Sequence, residues 1–426
     1  MILTRVGLVL MSTADVIVLG RAGAGELAAY VLGQAIYDSL IAVTIGLLMG
    51  VPVLVARETG AGRTAAAGLV WRRGLVTAAC LGAALCLLLQ FAGVLFRLTG
   101  QNPAVAARAA DVTALLGFAL PGLALYYVSA AFLEAVHRPM VAFLAVLAGN
   151  VVNLGLNVLL VFGAGPLPAM GAPGVALATA LTFTLLAAGM ALYLRHGFPE
   201  RHRYGIVGAP DRPALPAMEQ VRLGLASGVS FLFEAGAFSV MTLFIGWLGA
   251  LALAAHGVLF QFLALTFMLA YGIAGATQVR VGNAWGREDS RGMATAGWTG
   301  LALSVCATGG VSVLLLAAPE SAVAIFTDDA AVAAVVLPVF AWMTLALVFD
   351  GGQSVMSNAC RGRGDTWVPT ALHFGSYWVV MVPAAYLLAF AAGHGLAGIY
   401  QGIAGASMVS LAVLALRFAA LTRGTL

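Results

Sequence analysis

Long apolar runs separated by short polar or Gly/Pro-rich breaks recur along the whole chain, near 6–20, 28–55, 74–97, 109–133, 140–163, 173–194, 223–247, 251–279, 294–318, 330–359, 367–392 and 396–416. A helix needs about 20 apolar residues to cross the hydrocarbon core of a bilayer, so the pattern predicts about twelve membrane-spanning helices. Spanning β-strands would instead alternate polar and apolar side chains over about ten residues, whereas these runs are continuous. The longest polar stretch is His196–Arg222, where Pro199, Glu200, Arg201, Arg203, Pro210, Asp211, Arg212, Pro213 and Pro216 mark a linker. The expected organisation is a six-helix lobe over 1–197, a linker over 198–222 and a second six-helix lobe over 223–426.

The first run is short. Val6–Gly20 has 15 residues, about 22 Å of helix at 1.5 Å per residue, against a hydrocarbon core of about 30 Å. The first helix is therefore expected to lack its opening turns, with Arg5 at the interface and Asp15 closer to water.

Basic residues test the span count independently. Seventeen of the 21 arginines fall after even-numbered spans, in the linker or in the C-terminal tail, and there is no lysine. Arg21, Arg97 and Arg108 fall on the other side. Under the positive-inside rule both termini and the linker are cytoplasmic. Composition agrees: 62% hydrophobic and 9% charged residues over 426 positions would leave a soluble globule with far too much apolar surface in water. A soluble enzyme is excluded. The cysteines, Cys80, Cys86, Cys306 and Cys360, have no disulfide or metal-ligand spacing and read as packing residues.

The two halves repeat. Gly20, Gly23, Leu27, Ala28, Ala29, Gly46 and Gly60 recur 226 residues later as Gly246, Gly249, Leu253, Ala254, Ala255, Gly272 and Gly286. Gly171-x-x-Gly174 recurs as Gly395-x-x-Gly398. Six spans per repeat make both halves enter the membrane in the same direction, related by a pseudo-two-fold along the membrane normal. Alternating-access transporters with parallel repeats have this plan, with the substrate between the lobes.

An ionised side chain at mid-bilayer costs at least about 2.5 kcal/mol on insertion scales, which makes intramembrane acids functional candidates. Asp15, Asp38, Glu234 and Asp350 stand out. Asn150, Asn153 and Asn157 share one face of the fifth span. That face can ligate a cation through amide oxygens, satisfy a carboxyl proton, or simply hydrogen-bond between helices at about 0.6 kcal/mol per pair. Glu234 lies midway along the seventh span, and Asp350 has Gln353 one turn later on its face. Withdrawn from water, either carboxyl can exchange a proton or bind Na⁺ as an oxygen ligand. Asp38 has Tyr37 and Ser39 beside it to satisfy it locally. His256 and His373 are candidate proton relays, although a lone membrane histidine is usually a packing or hydrogen-bonding residue.

These residues sit in motifs that span nearly the whole chain. They are Ala14-Asp15 with Gly20 and Leu27-Ala28-Ala29; Asn153-x-x-x-Asn157 leading to Phe162-Gly163; Gly171-Ala172-Pro173-Gly174 with Ala178-Thr179; Phe233-Glu234; and Phe349-Asp350-x-x-Gln353 followed by Arg361-Gly362-x-Gly364-Asp365-Thr366. In order and spacing the chain resembles the multidrug and toxic compound extrusion (MATE) family. The resemblance implies an all-α polytopic transporter of two lobes around a V-shaped central cavity, exporting small organic cations in exchange for Na⁺ or H⁺. It implies one cation site at Asp15, Asn153, Asn157 and Thr179, and another at Glu234 and Asp350 with Gln353. It also implies a monomer in the bacterial inner membrane, surrounded by lipid, with no cofactor, no enzymatic activity and no nucleic-acid partner. Two departures bear on this. Family members with the second cation site commonly carry Tyr one turn before the Asp, where this chain has Ala346, and Asp38 matches nothing in the family pattern.

Two other readings compete. A lipid-linked oligosaccharide flippase of the same superfamily would line its cavity with Arg or Lys for pyrophosphate, whereas these spans carry acids and almost no buried Arg. An intramembrane aspartyl protease is mimicked by Tyr37-Asp38, Gly362-Arg363-Gly364-Asp365 and Pro213-Ala214-Leu215. There the third motif comes in the wrong order, and Asp365 lies in an Arg-rich loop rather than in a dry site where two carboxyls share a proton.

Overall fold

A computed structural model describes residues 1–98, 103–163, 168–208 and 217–423; residues 209–216, which include Pro210–Pro216 of the linker, lie outside the described residues. Among the described residues twelve helices are long and apolar enough to span a membrane: α1 Ile2–Ala22, α2 Gly25–Gly60, α3 Thr64–Leu89, α4 Val105–Ala135, α5 Pro139–Phe162, α6 Ala172–Gly197, α7 Ala217–Trp247, α8 Ala250–Gly286, α9 Ser290–Ala317, α10 Ala330–Gly362, α11 Trp367–Ala391 and α12 Gly395–Arg423. Among the described residues there is no strand. Helices satisfy every backbone N–H and C=O internally, as a water-free bilayer core requires.

The helices overrun the apolar runs that mark them. The 37 residues of α8 extend about 55 Å, so its Arg280 lies in the helix and not in a loop. α1 has 21 residues, about 31 Å, because Arg5 continues the helix instead of breaking it. Its guanidinium bonds Glu134 of α4 at 3.4 Å and lies over the Tyr127 ring. α3 begins ten residues before its apolar run and takes in Arg72 and Arg73. It stops at Leu89, and Ala92–Leu98 forms a separate short helix.

The repeated glycines have structural reasons. Gly23 and Gly249, which precede α2 and α8, have φ of 130° and 105°, a region that side chains with a Cβ rarely occupy. Gly174 and Gly398 sit where a Cβ would press on backbone of the preceding helix, 2.8 Å from the Leu160 carbonyl oxygen and 2.5 Å from the Ala389 nitrogen. Small residues of this kind let membrane helices approach closely.

The chain forms two compact units, Leu3–Gly228 and Val229–Leu426. In the first, the opening turns of α7 pack on α2. A Cβ at Gly50 would run into the Gln220 carbonyl, and one at Gly224 into the Leu47 carbonyl. Arg57 pairs with Glu219 at 2.9 Å. At the same end Phe198 and Tyr204 pack edge-on against Phe132, and burial raises the Tyr204 hydroxyl pKa above its ordinary value. Arg63 grips the buried Glu58 with two hydrogen bonds of 2.7 and 2.9 Å, which hold its guanidinium more firmly protonated. At the opposite end Glu26 accepts from Arg108 and from the Ala172 amide at the start of α6, an N-terminal position that favours negative charge.

The second unit has two apolar clusters. One holds Phe262, Phe340, Leu347, Ile399 and Tyr400, the other Ile273, Met293, Val355, Leu414 and Phe418. Along α10 the changeover falls between Leu347 and Val355, and Asp350 and Gln353 lie in that gap. Ser407 and Ser410 occupy the corresponding gap on α12. The polar residues therefore form a belt between two dry layers.

The cysteines divide. Cys86 and Cys360 are buried, as expected of packing residues, but Cys80 and Cys306 are exposed on their helices.

Candidate functional site

In the first unit the residues proposed from sequence converge. Asp15, 2% exposed, accepts from Asn157 Nδ2 at 2.6 Å, from the Tyr30 hydroxyl at 3.1 Å and from Thr179 Oγ1 at 3.4 Å. Asn157 Nδ2 also donates to Asn153 Oδ1 at 3.0 Å. Four helices, α1, α2, α5 and α6, contribute, so the cluster exists only in the assembled unit. Asn153 Nδ2 and Asn157 Oδ1 are buried without a partner. Asn150, on the same face of α5, does not join. Its amide donates to the carbonyls of Gly7 and Val146, both at 2.9 Å, which makes it an interhelical tie. Tyr30 was not foreseen, because nothing in the spacing of α2 links it to Asp15.

Asp38 stands apart, exposed on α2. Gln34, one turn earlier, lies beside it and donates to Ser12 Oγ at 2.9 Å, and neither Tyr37 nor Ser39 bonds it. The Tyr37 hydroxyl is buried without a partner and Ser39 bonds the Ala35 carbonyl.

In the second unit Gln353 links the two proposed acids. Its Nε2 donates to Asp350 Oδ1 at 3.1 Å and to the Tyr377 hydroxyl at 3.0 Å, and that hydroxyl lies beside Glu234. Ser407 of α12 lies beside Asp350, its hydroxyl buried without a hydrogen-bond partner. Ala346, one turn before the Asp, is fully buried in the apolar cluster, so the hydroxyl beside these acids comes from α11.

The network continues beyond the acids. Arg361 was assigned above to a cytoplasmic loop, and the spans were read as holding almost no buried Arg. It lies instead inside α10, 3% exposed, and donates to Ser230 Oγ at 3.0 Å with its guanidinium over the Phe231 ring. Ser230 Oγ lies 2.6 Å from His373 Nδ1. His373 is thus a member of this cluster, not a lone packing residue, and its Nε2 is buried without a partner. His256 bonds the Tyr400 hydroxyl at 2.9 Å elsewhere in the unit. Helical periodicity carried a signal for the residues missed. Ser230 is one turn before Glu234, and Arg361 is three turns after Asp350 on its face.

Charge pairing separates these acids from six others, although Asp38 and Asp111 within the spans are also without an ion pair among the described residues. Glu26, Glu58, Glu134, Glu200, Glu219 and Asp365 each pair with an arginine; no ion pair among the described residues reaches Asp15, Glu234 or Asp350. Asp365, part of the protease-like motif, is held by Arg417 at 2.8 Å; Pro213-Ala214-Leu215 lies outside the described residues. The hydrogen-bond donors to Asp15 and Asp350 are neutral, and a carboxylate kept in a span without an ion pair is costly while it stays charged. Oxygens suited to a hard cation are at hand, since Asn157 Oδ1 and Gln353 Oε1 are buried without partners.

A family model described as MatE matches residues 1–159 and 226–387. A probable multidrug resistance protein NorM of Caulobacter vibrioides is 37% identical over 421 residues, which cover 98% of this chain and 88% of that protein. The Pseudomonas aeruginosa protein of the same description is 33% identical over 98% of this chain and 87% of its own length. Among solved structures, a MATE protein in a bent conformation superposes with a TM-score of 0.89 at 22% identity, covering 100% of this chain and 94% of its own. A eukaryotic MATE transporter does so with 0.88 at 20%, covering 100% and 95%.

Proposed function

The chain belongs to the MatE family of membrane transporters, and from that premise we propose that it exports organic cations from a bacterial cell in exchange for Na⁺ or H⁺. The observation that carries this reading is the pair of unpaired acidic clusters. Asp15, Glu234 and Asp350 lie inside the spans without an arginine ion pair and, unlike Asp38 and Asp111, which also have none, they are not exposed. A single carboxylate in such a setting can neutralise one cation at a time. Proton, Na⁺ and an organic cation therefore compete for it, and competition is what an exchanger requires.

The geometry assigns roles. Tyr30, Asn157 and Thr179 orient the Asp15 carboxylate, and Asn153 orients Asn157. Gln353 and Tyr377 tie Asp350 to Glu234, so loading one acid is felt by the other. Arg361, which donates to Ser230, places a fixed positive charge at the end of this network. A flippase would need several arginines or lysines lining its cavity to take a pyrophosphate, whereas the acids in these spans favour cationic cargo. The excess of arginine at the linker end supports a cytoplasmic location for both termini.

The test is export of tetraphenylphosphonium from proteoliposomes with Na⁺ and pH gradients imposed separately. One gradient should drive export, and Glu234→Gln with Asp350→Asn should abolish driven export while ligand binding at the Asp15 unit persists. Driven export that survives in the double variant would overturn the assignment of the second cluster.

A further inference from the structure

Between α5 and α6, away from the acidic cluster, runs an apolar groove of about 540 Å³. Leu144, Ala148 and Val152 line one side and Leu185, Leu186 and Met190 the other. Apolar cavities of about 150 Å³ already take up benzene, so this space is large enough to gain from an occupant. Its rim is apolar as well, with Leu147, Val151 and Leu192 exposed, so it opens toward lipid.

Its length and its ends indicate what fills it. The lining residues run from Val141 to Val152 and from Thr182 to Tyr193, about 16 Å along each helix, or half of the roughly 30 Å hydrocarbon core. That is the depth of one leaflet. The open end carries Tyr193, an aromatic of the kind that sits at headgroup level. Arg195 and His196 follow it in the chain at the end of α6, and Arg138, just before α5, shares Glu200 with Arg203. The basic excess stands where headgroups lie, and basic pockets at membrane-helix ends hold anionic headgroups. The inner end is closed by Thr182, one turn from the Thr179 that bonds Asp15.

We propose that the α5–α6 groove binds one acyl chain of an anionic phospholipid from the Arg-rich leaflet, with its headgroup held at the basic rim around Arg195. The bound chain fills the outer wall of the first unit up to Thr182, behind the acidic cluster.

Two glycines provide a clean test. A Cβ at Gly189, in the groove, meets no heavy atom within 4 Å, and the same holds at the exposed Gly155 on α5, outside the groove. Gly189→Leu therefore enters the groove from an unobstructed Cβ, and Gly155→Leu controls for added bulk. The full chain in phosphatidylcholine nanodiscs, with a trace of phosphatidylglycerol carrying a diazirine on its acyl chain, is irradiated and its peptides mapped by mass spectrometry. Adducts should concentrate on 141–152 and 182–193, fall about tenfold in Gly189→Leu and persist in Gly155→Leu. The same chain on a phosphatidylcholine headgroup should label less, and Arg195→Gln should bring phosphatidylglycerol down to that level. Even labelling of all lipid-facing helices, adducts undiminished by Gly189→Leu, or equal labelling by both headgroups would overturn the proposal. Displacement by tetraphenylphosphonium would also overturn it, by making the groove a path for organic cations.

Discussion

Asp15→Asn isolates the charge of the first cluster from its shape. Asparagine is isosteric with aspartate, but its amide nitrogen would face the Asn157 Nδ2 that now lies 2.6 Å from Asp15 Oδ1. The network can absorb this. Asn157 Oδ1 and Asn153 Nδ2 are both without partners, so turning over the two amides together lets the new nitrogen donate to Asn157 Oδ1 and Asn153 Nδ2 donate to the same oxygen. Tyr30 and Thr179 keep an oxygen acceptor. Hydrogen bonds to a charged acceptor are worth about 1.5–3 kcal/mol and neutral ones about 0.5–1.5, while the cost of an ionised group in the membrane disappears. The two changes oppose each other, and the melting temperature should stay within about 4 °C, the shift for roughly 1 kcal/mol in a unit of this size. Cation binding should not survive. A unit charge pair at about 4 Å is worth roughly 4 kcal/mol at an effective dielectric of 20, an upper limit near a thousandfold, and desolvation of the incoming ion reduces the expected loss to about a hundredfold. Equilibrium dialysis of tetraphenylphosphonium against the detergent-solubilised protein measures it. Binding within about threefold of the parent, with an unchanged melting temperature, would refute the role of Asp15 as the neutralising charge.

Three further outcomes are expected. Tyr377→Phe removes only the hydroxyl that accepts from Gln353 beside Glu234; half-saturation of export by the driving ion should shift about tenfold, the effect of roughly 1.4 kcal/mol, and an unshifted curve would remove Tyr377 from the coupling network. Gly224→Ala places a methyl against the Leu47 carbonyl whereas Gly246→Ala meets nothing within 4 Å, so thermal melts should show the first destabilised by about 1–3 kcal/mol and the second neutral or stabilised by up to about 1 kcal/mol; equal melts would contradict the packing of α7 on α2. Arg203→Cys, at a side chain 66% exposed, should react with an impermeant maleimide in inverted membrane vesicles and not in intact cells, and labelling in intact cells would reverse the topology.

How much of this was legible in the chain depends on the range of the interactions. Burial in lipid acts residue by residue along a helix, so the apolar runs located all twelve spans and the alternating arginines ordered them. The glycine repeat was equally visible, because positive φ at Gly23 and Gly249 and the close approaches at Gly174 and Gly398 are local backbone demands. Asp15, Glu234 and Asp350 were identifiable because an acid in an apolar run is costly wherever its partners lie. What those acids touch was decided only by packing. Tyr30 and Tyr377 are ordinary tyrosines until α2 and α11 bring their hydroxyls to Asp15 and Gln353. Arg361 reads as a loop residue until α10 carries it into the interior beside Ser230 and His373. Arg5 reads as a break until Glu134 of α4 pairs with it. A charge is tolerated in a membrane according to its partner, and partners more than a hundred residues away leave no periodic mark in the sequence.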